Sequence, residues 1–198
     1  MTPYAKSKVL AEKAAWEFCE SLPEDEKIEL ATVLPGFVVG PSLCGPGFTS
    51  EKAILYIMSG KGIPRISMPM VDVRDCAMAH LKAIQVDEAK DKRYILCDQS
   101  IWFVDIARII HEEFQPQGYN FSVCEAKYCL VKFASFFNDE AALMVPLWNV
   151  KLEVNNSRSK EILGINYRPP KESFNEMVYS MIETGVIPDK RPTKAGGS

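Results

Sequence analysis

At 198 residues, with 47% apolar and 25% charged side chains, the chain has the composition of a globular protein of about one domain. Its net charge of −3, from 23 basic and 26 acidic residues, leaves no excess to draw nucleic acid or anionic lipid. No stretch reaches the ~18 apolar residues of a membrane span, and Met1-Thr2-Pro3-Tyr4 lacks the basic-then-apolar layout of a signal peptide, so a cytoplasmic protein without a membrane partner is expected.

Helical spacing of Leu10, Ala14 and Phe18, with Pro23 beyond, predicts a helix from Tyr4 to Ser21. Ile28 onward is a β-branched apolar run that reads as a buried strand ending near Leu34, where Pro35-Gly36 would stop it. A loop from Gly40 to Gly47 leads to a helix from about Ser50 to Ser59, with Ser50 placed as its N-cap. Ile66 to Val71 reads as a strand, followed by a helix to Gln85 that Asp72 caps and Asp75 supports in its first turn. Arg93 to Cys97 is expected as a strand and Trp102 to Phe114 as a helix, with His80 packed near an apolar helix face. From Tyr119 the pattern predicts a strand, an aromatic-rich helix over Tyr128 to Phe137, and an irregular stretch to Pro146. A short strand at Val150 to Val154, a helix from Ser157 to Leu163, a last helix from Glu172 to Thr184 and a loose tail over 188–198 complete the expectation.

Strands alternating with helices of this length predict an α/β protein with crossover connections. None of the eleven glycines makes the G-x-G-x-x-G turn of a dinucleotide-binding fold, so no phosphate cradle is encoded in these residues. The six cysteines form no C-x-x-C pair and read as buried free thiols, and with only two histidines no metal site is expected.

Tyr4 and Lys8 stand four apart on the first helix and share a face. A tyrosine with a pKa of about 10 is a poor proton donor at neutral pH, but a nearby cation stabilises the phenolate and moves the group toward the working range. Such a pair can act as general acid in carbonyl reduction. Spacing alone does not select it, because Tyr128 with Lys132 and Tyr167 with Lys171 repeat it, the last across Pro169-Pro170 where one helical turn is excluded.

The context of the first pair, Tyr4-Ala5-Lys6-Ser7-Lys8 followed by Leu34-Pro35-Gly36-Phe37-Val38-Val39-Gly40-Pro41, resembles the extended short-chain dehydrogenase/reductases. Within them it is similar to the dihydroflavonol reductase, cinnamoyl-CoA reductase and aldehyde reductase branch. Val71-Asp72-Val73-Arg74-Asp75 with Ala79-His80, and Asn155-Asn156-Ser157 through Tyr167-Arg168-Pro169, resemble later motifs of that branch, so the likeness runs in order from Tyr4 to about Ile187.

The resemblance implies that 1–187 is the C-terminal part of a Rossmann-type NAD(P)-binding fold, the remnant of its sheet together with a small substrate-binding subdomain, with the glycine-rich half absent from these residues. It implies an NADP-dependent reductase of a small aldehyde or ketone, NAD not being excluded, with Tyr4 as acid and Lys8 both assisting and holding the nicotinamide ribose. Pro35, Gly36 and Val38 would line the nicotinamide pocket and Ser50 would touch the cofactor phosphates. Ser42 to Phe48 and Tyr128 to Phe137 would flank the substrate. A nucleotide-sugar epimerase or hydroxysteroid dehydrogenase shares the Tyr/Lys pair, although Leu30 to Pro41 lacks the arginine and asparagine usual in the epimerases. A short product that binds no cofactor by itself, and pairs with the missing half or another chain, is the remaining alternative.

Overall fold

The computed structural model describes residues 3–43 and 45–191. Helix α1 (Pro3–Ser21) is followed by strands β1 (Ala31–Pro35) and β2 (Phe37–Val39), then α2 (Thr49–Met58), β3 (Ser67–Asp72) and α3 (Val73–Gln85). Strands β4 (Lys92–Leu96) and β5 (Gln99–Trp102) precede α4 (Phe103–Phe114). Short helices α5 (Tyr128–Ala134), α6 (Asp139–Met144) and α7 (Ser157–Glu161) lead to the long α8 (Pro170–Glu183).

β1 pairs in parallel with β4, with Thr32 opposite Arg93, and β2 pairs in parallel with β3, with Val38 opposite Val71. β5 closes the second group antiparallel to β3. One residue, Gly36, separates β1 from β2, so the chain passes from one pair of strands to the other without a turn. β1 does stop at Pro35-Gly36 as expected, and Gly36 is in addition the switch between two pairings. The Gly36 amide donates to the Leu96 carbonyl at 2.9 Å, and a Cβ at Gly36 would lie 2.3 Å from the Pro69 carbonyl oxygen, a contact that only glycine escapes.

The larger core gathers Val39, Ile54, Ile57 and Met70 against α4 and α8, where Ile106, Ile110 and Phe114 meet Phe174, Met177 and Val178. Those positions recur at helical spacing on both helices, and their burial is what the apolar periodicity encodes. A smaller core of Val71, Ala79, Tyr94, Leu96 and Leu163 fills the space between β1–β4, α3 and α7.

Several sequence expectations change. Val150 to Val154 forms no strand; instead the Ser67 hydroxyl donates to the Val150 carbonyl and accepts the Leu152 amide, so side-chain bonds replace a ladder. The stretch from Tyr119 is likewise irregular, touching its neighbour through one bridge, Ile63 to Glu125. β5 occupies residues expected to be a connection. Its one buried residue is Ile101, with Gln99 exposed and Ser100 and Trp102 half-buried, so the alternating signal is weak. Cys97 is buried, but Cys124 and Cys129 are exposed, and Cys44 lies outside the described residues. At the other end the Tyr119 hydroxyl donates to the Pro188 carbonyl and accepts the Lys190 amide, so the chain is still tied to the core there; 192–198 lie outside the described residues.

Helix α1, although 19 residues long, has no buried residue. Its hold on the sheet centres on Glu12, whose carboxylate accepts both Arg93 Nε at 2.7 Å and an Arg93 terminal nitrogen at 3.0 Å, with the Thr32 hydroxyl at 3.0 Å. The Arg93 guanidinium, helped by Thr32 and Trp16 against the opposing effect of burial, draws the Glu12 carboxyl down to about 2 from an ordinary 4.5. Because the folded value lies below the unfolded one, this contribution is complete above about pH 4.5 and is lost as the pH falls toward 2. Arg93 is more than half exposed, so screening reduces the pair to about 1 kcal/mol. Glu12→Gln should lower stability by that amount at pH 7, and urea midpoints of the two proteins should converge between pH 4.5 and 2; a constant difference across that range would show that the pair does not titrate.

Candidate active site

Tyr4 and Lys8 occupy consecutive turns of α1, and the Lys8 ammonium lies 5.6 Å from the Tyr4 ring centroid. The shared helix face read from the spacing is therefore present. Tyr4 is 73% exposed, and its carbonyl accepts the Ser7 hydroxyl at 2.7 Å, which tightens the first turn. No hydrogen bond or ring contact among the described residues links Tyr4 or Lys8 to Pro35, Gly36, Val38 or Ser50.

The two other tyrosine and lysine pairs are engaged elsewhere. Tyr128 packs its ring against Trp148 at 5.4 Å between centroids. The Tyr167 hydroxyl shares a 2.7 Å hydrogen bond with Ser159, and burial pushes that phenol up, away from proton donation at neutral pH. Lys171 pairs instead with Glu112 at 3.3 Å. Packing thus separates Tyr4 with Lys8 from Tyr128 with Lys132, which spacing could not.

A cavity of about 760 Å³ opens beside β2. Val38, Val39, Phe48, Val73 and Ala77 make its wall largely apolar, and the segment from Gly40 to Gly47 forms one side. Val38 and Ser50 line it; Tyr4, Lys8, Pro35 and Gly36 do not. Ser50 is not the cap of α2: the helix begins at Thr49 after Phe48, with no side-chain cap, and Ser50 is buried in the first turn. The neighbouring Glu51 fills part of the capping role by accepting the Gly47 amide at 3.1 Å. Phe133, Phe136 and Phe137 of the aromatic stretch are exposed and do not line the cavity.

Arg74 is the charged residue of this lining. Asp72 caps α3 by accepting the Arg74 amide at 2.8 Å, and it also accepts the Arg74 guanidinium at 2.9 and 2.8 Å. Burial raises the Asp72 carboxyl, but the Arg74 side chain and amide outweigh it and hold the group below its ordinary range. Glu176 takes another arm of the guanidinium and Glu172 lies 3.6 Å away, so three carboxylates surround one cation, chiefly Asp72 keeping it protonated.

Asp75 stands in the first turn of α3 as expected, but its carboxylate is engaged with another element. Buried in α3, it accepts the Arg168 amide at 2.7 Å and pairs with the Arg168 guanidinium, binding α3 to the entrance of α8. His80, expected against an apolar face, is exposed, with Nδ1 2.8 Å from the Cys76 carbonyl. Sequence reasoning missed the roles of Arg74, Arg168, Glu172 and Glu176. Four-residue spacing of the two glutamates was their available signal, but their partners lie about a hundred residues away. Among the described residues no group of three metal-ligating side chains is assembled, and no helix is long and apolar enough to cross a membrane.

Parallel strands joined by crossover helices, with a cavity beside a strand end, define part of a Rossmann-like α/β fold. No protein-family model matches the chain. It is 30% identical over 181 residues to the cinnamoyl-CoA reductase CAD2 of Medicago truncatula, covering 91% of this chain and 48% of that one. It is 27% identical to the NADPH-dependent methylglyoxal reductase GRE2 of Saccharomyces cerevisiae, over 91% of this chain and 51% of the relative. The crystal structure of Gre2 from Candida albicans superposes with a TM-score of 0.73 at 28% identity, over 93% of this chain and 54% of that one. These proteins are extended short-chain dehydrogenase/reductases, and this chain is homologous to them. It spans about half the length of the curated relatives it matches.

Proposed function

We propose that these residues serve the NADPH-dependent reduction of an aldehyde or ketone to an alcohol. The observation that carries this reading is the Lys8 ammonium set 5.6 Å from the Tyr4 ring, in a chain homologous over nine-tenths of its length to an NADPH-dependent reductase. When bound, the reduced nicotinamide supplies hydride to the carbonyl carbon. The Tyr4 hydroxyl donates its proton to the carbonyl oxygen as charge develops there, and the Lys8 ammonium balances the tyrosinate left behind.

The residues present fit one end of such a cofactor. The apolar cavity beside Val38, with the Ser50 hydroxyl at its edge, suits a flat ring and its amide, and the backbone at Pro35 and Gly36 leads into it. The phosphate end finds less. Arg74 is already committed to Asp72 and Glu176, and the sequence has no glycine-rich cradle. Substrate would enter along the side formed by Ser42 to Phe48.

A hybrid that joins this chain to the part of the Saccharomyces cerevisiae reductase it does not match tests the reading. The 198 residues alone should show no saturable NADPH binding at micromolar concentration, whereas the hybrid should bind NADPH and consume it with methylglyoxal. Micromolar affinity of the lone chain, or a hybrid that binds NADPH without consuming it on any aldehyde or ketone, would count against it.

A further inference from the structure

Helix α8 does not line the cavity, yet it touches both polar features of its rim. Glu172, Glu176 and Ser180 recur every fourth residue, one polar stripe along a helix whose other faces bury Phe174, Met177 and Met181. Glu172 and Glu176 reach Arg74. One turn further on, the Ser180 hydroxyl accepts the Ser42 amide at 3.2 Å and faces the Ser42 carbonyl at 3.4 Å. Arg74 and Ser42 both belong to the cavity wall.

The wall needs such support. Gly40, Gly45 and Gly47 all have positive φ, a conformation open chiefly to glycine, and the segment is also tied by the Ser42 hydroxyl, which donates to the Gly45 carbonyl at 3.0 Å, and by Gly47 to Glu51. We propose that Ser180 and Glu176 are positioning residues, through which α8 holds the rim of the cavity in shape from behind. A rim fixed at Ser42 and Arg74 keeps the cavity open to a ring-shaped ligand without spending a side chain inside it. This rests on the reading of the cavity as the active site, but its test requires no turnover, so the two can fail separately.

Residue-resolved amide exchange on the 198-residue chain decides it. Ser180→Ala should speed exchange at the Ser42 amide about fivefold or more, the worth of one hydrogen bond, and shift the resonances of Gly40 to Gly47. Core amides of α4 should stay as they were. Ser180→Thr, which keeps the hydroxyl, should restore slow exchange, and Glu176→Ala should move the Arg74 Nε resonance. Unchanged exchange at Ser42 in Ser180→Ala would overturn the proposal. So would equal acceleration in α4, which would mean general loosening, or failure of Ser180→Thr to restore protection.

Discussion

Tyr4→Phe in the hybrid enzyme should lower kcat by about 10² or more, the usual scale of a lost general acid, while leaving the KM for NADPH within a few fold. The substitution keeps the ring that Lys8 approaches and removes only the proton donor. Tyr128→Phe serves as the comparison, because its spacing to a lysine is the same but its ring is packed on Trp148. It should change kcat less than threefold. Equal losses from the two substitutions, or full activity in Tyr4→Phe, would remove Tyr4 from the chemistry. Lys8→Met should fall between, with the loss appearing in both kcat and the KM for NADPH, since that side chain is assigned both a charge and a ribose contact.

In the isolated chain, the amides of α1 should exchange about 10² or more faster than those of α8. Helix α8 buries seven residues against α4 and its neighbours; α1 buries none, and Leu10 and Phe18 on it are exposed. A 19-residue helix with so little packing has only its own marginal propensity and the Glu12 anchor to hold it. Exposed Leu10, Phe18 and Ile28, together with half-buried Val33, Val38 and Ile95, also leave apolar surface that should bind ANS. Val39 and Leu96, by contrast, are buried within this chain, at 2% and 0% exposure. α2, α3 and α7 cover them, so the loosening should be confined to the α1 side. Uniform protection across α1 and α8 would show that α1 is held by something other than burial. The functional consequence follows from position: the proposed acid stands on a helix with no buried residue, so the proposed site would need a surface that fixes α1.

Local chemistry determined much of this protein. The alternating helices and strands, the cap at Asp72 and the buried stripes of α4 and α8 follow from periodicity and capping, which act over a few residues. The motif order around Tyr4 and Pro35-Gly36 pointed to the family before any coordinates. Tertiary structure alone decided what depends on partners far along the chain. Gly36 could be read only as a strand end or a pocket wall; the tertiary structure alone brings the Pro69 carbonyl against it. Tyr4 with Lys8 and Tyr128 with Lys132 were equivalent by spacing until Trp148 engaged Tyr128. Ser50 left the cap for the cavity because the helix began one residue earlier, and Arg74 acquired its carboxylates from a helix about a hundred residues away. The spacing of residues along one element is encoded locally. Which groups meet across elements is set by packing, whose free energy no short window of sequence contains.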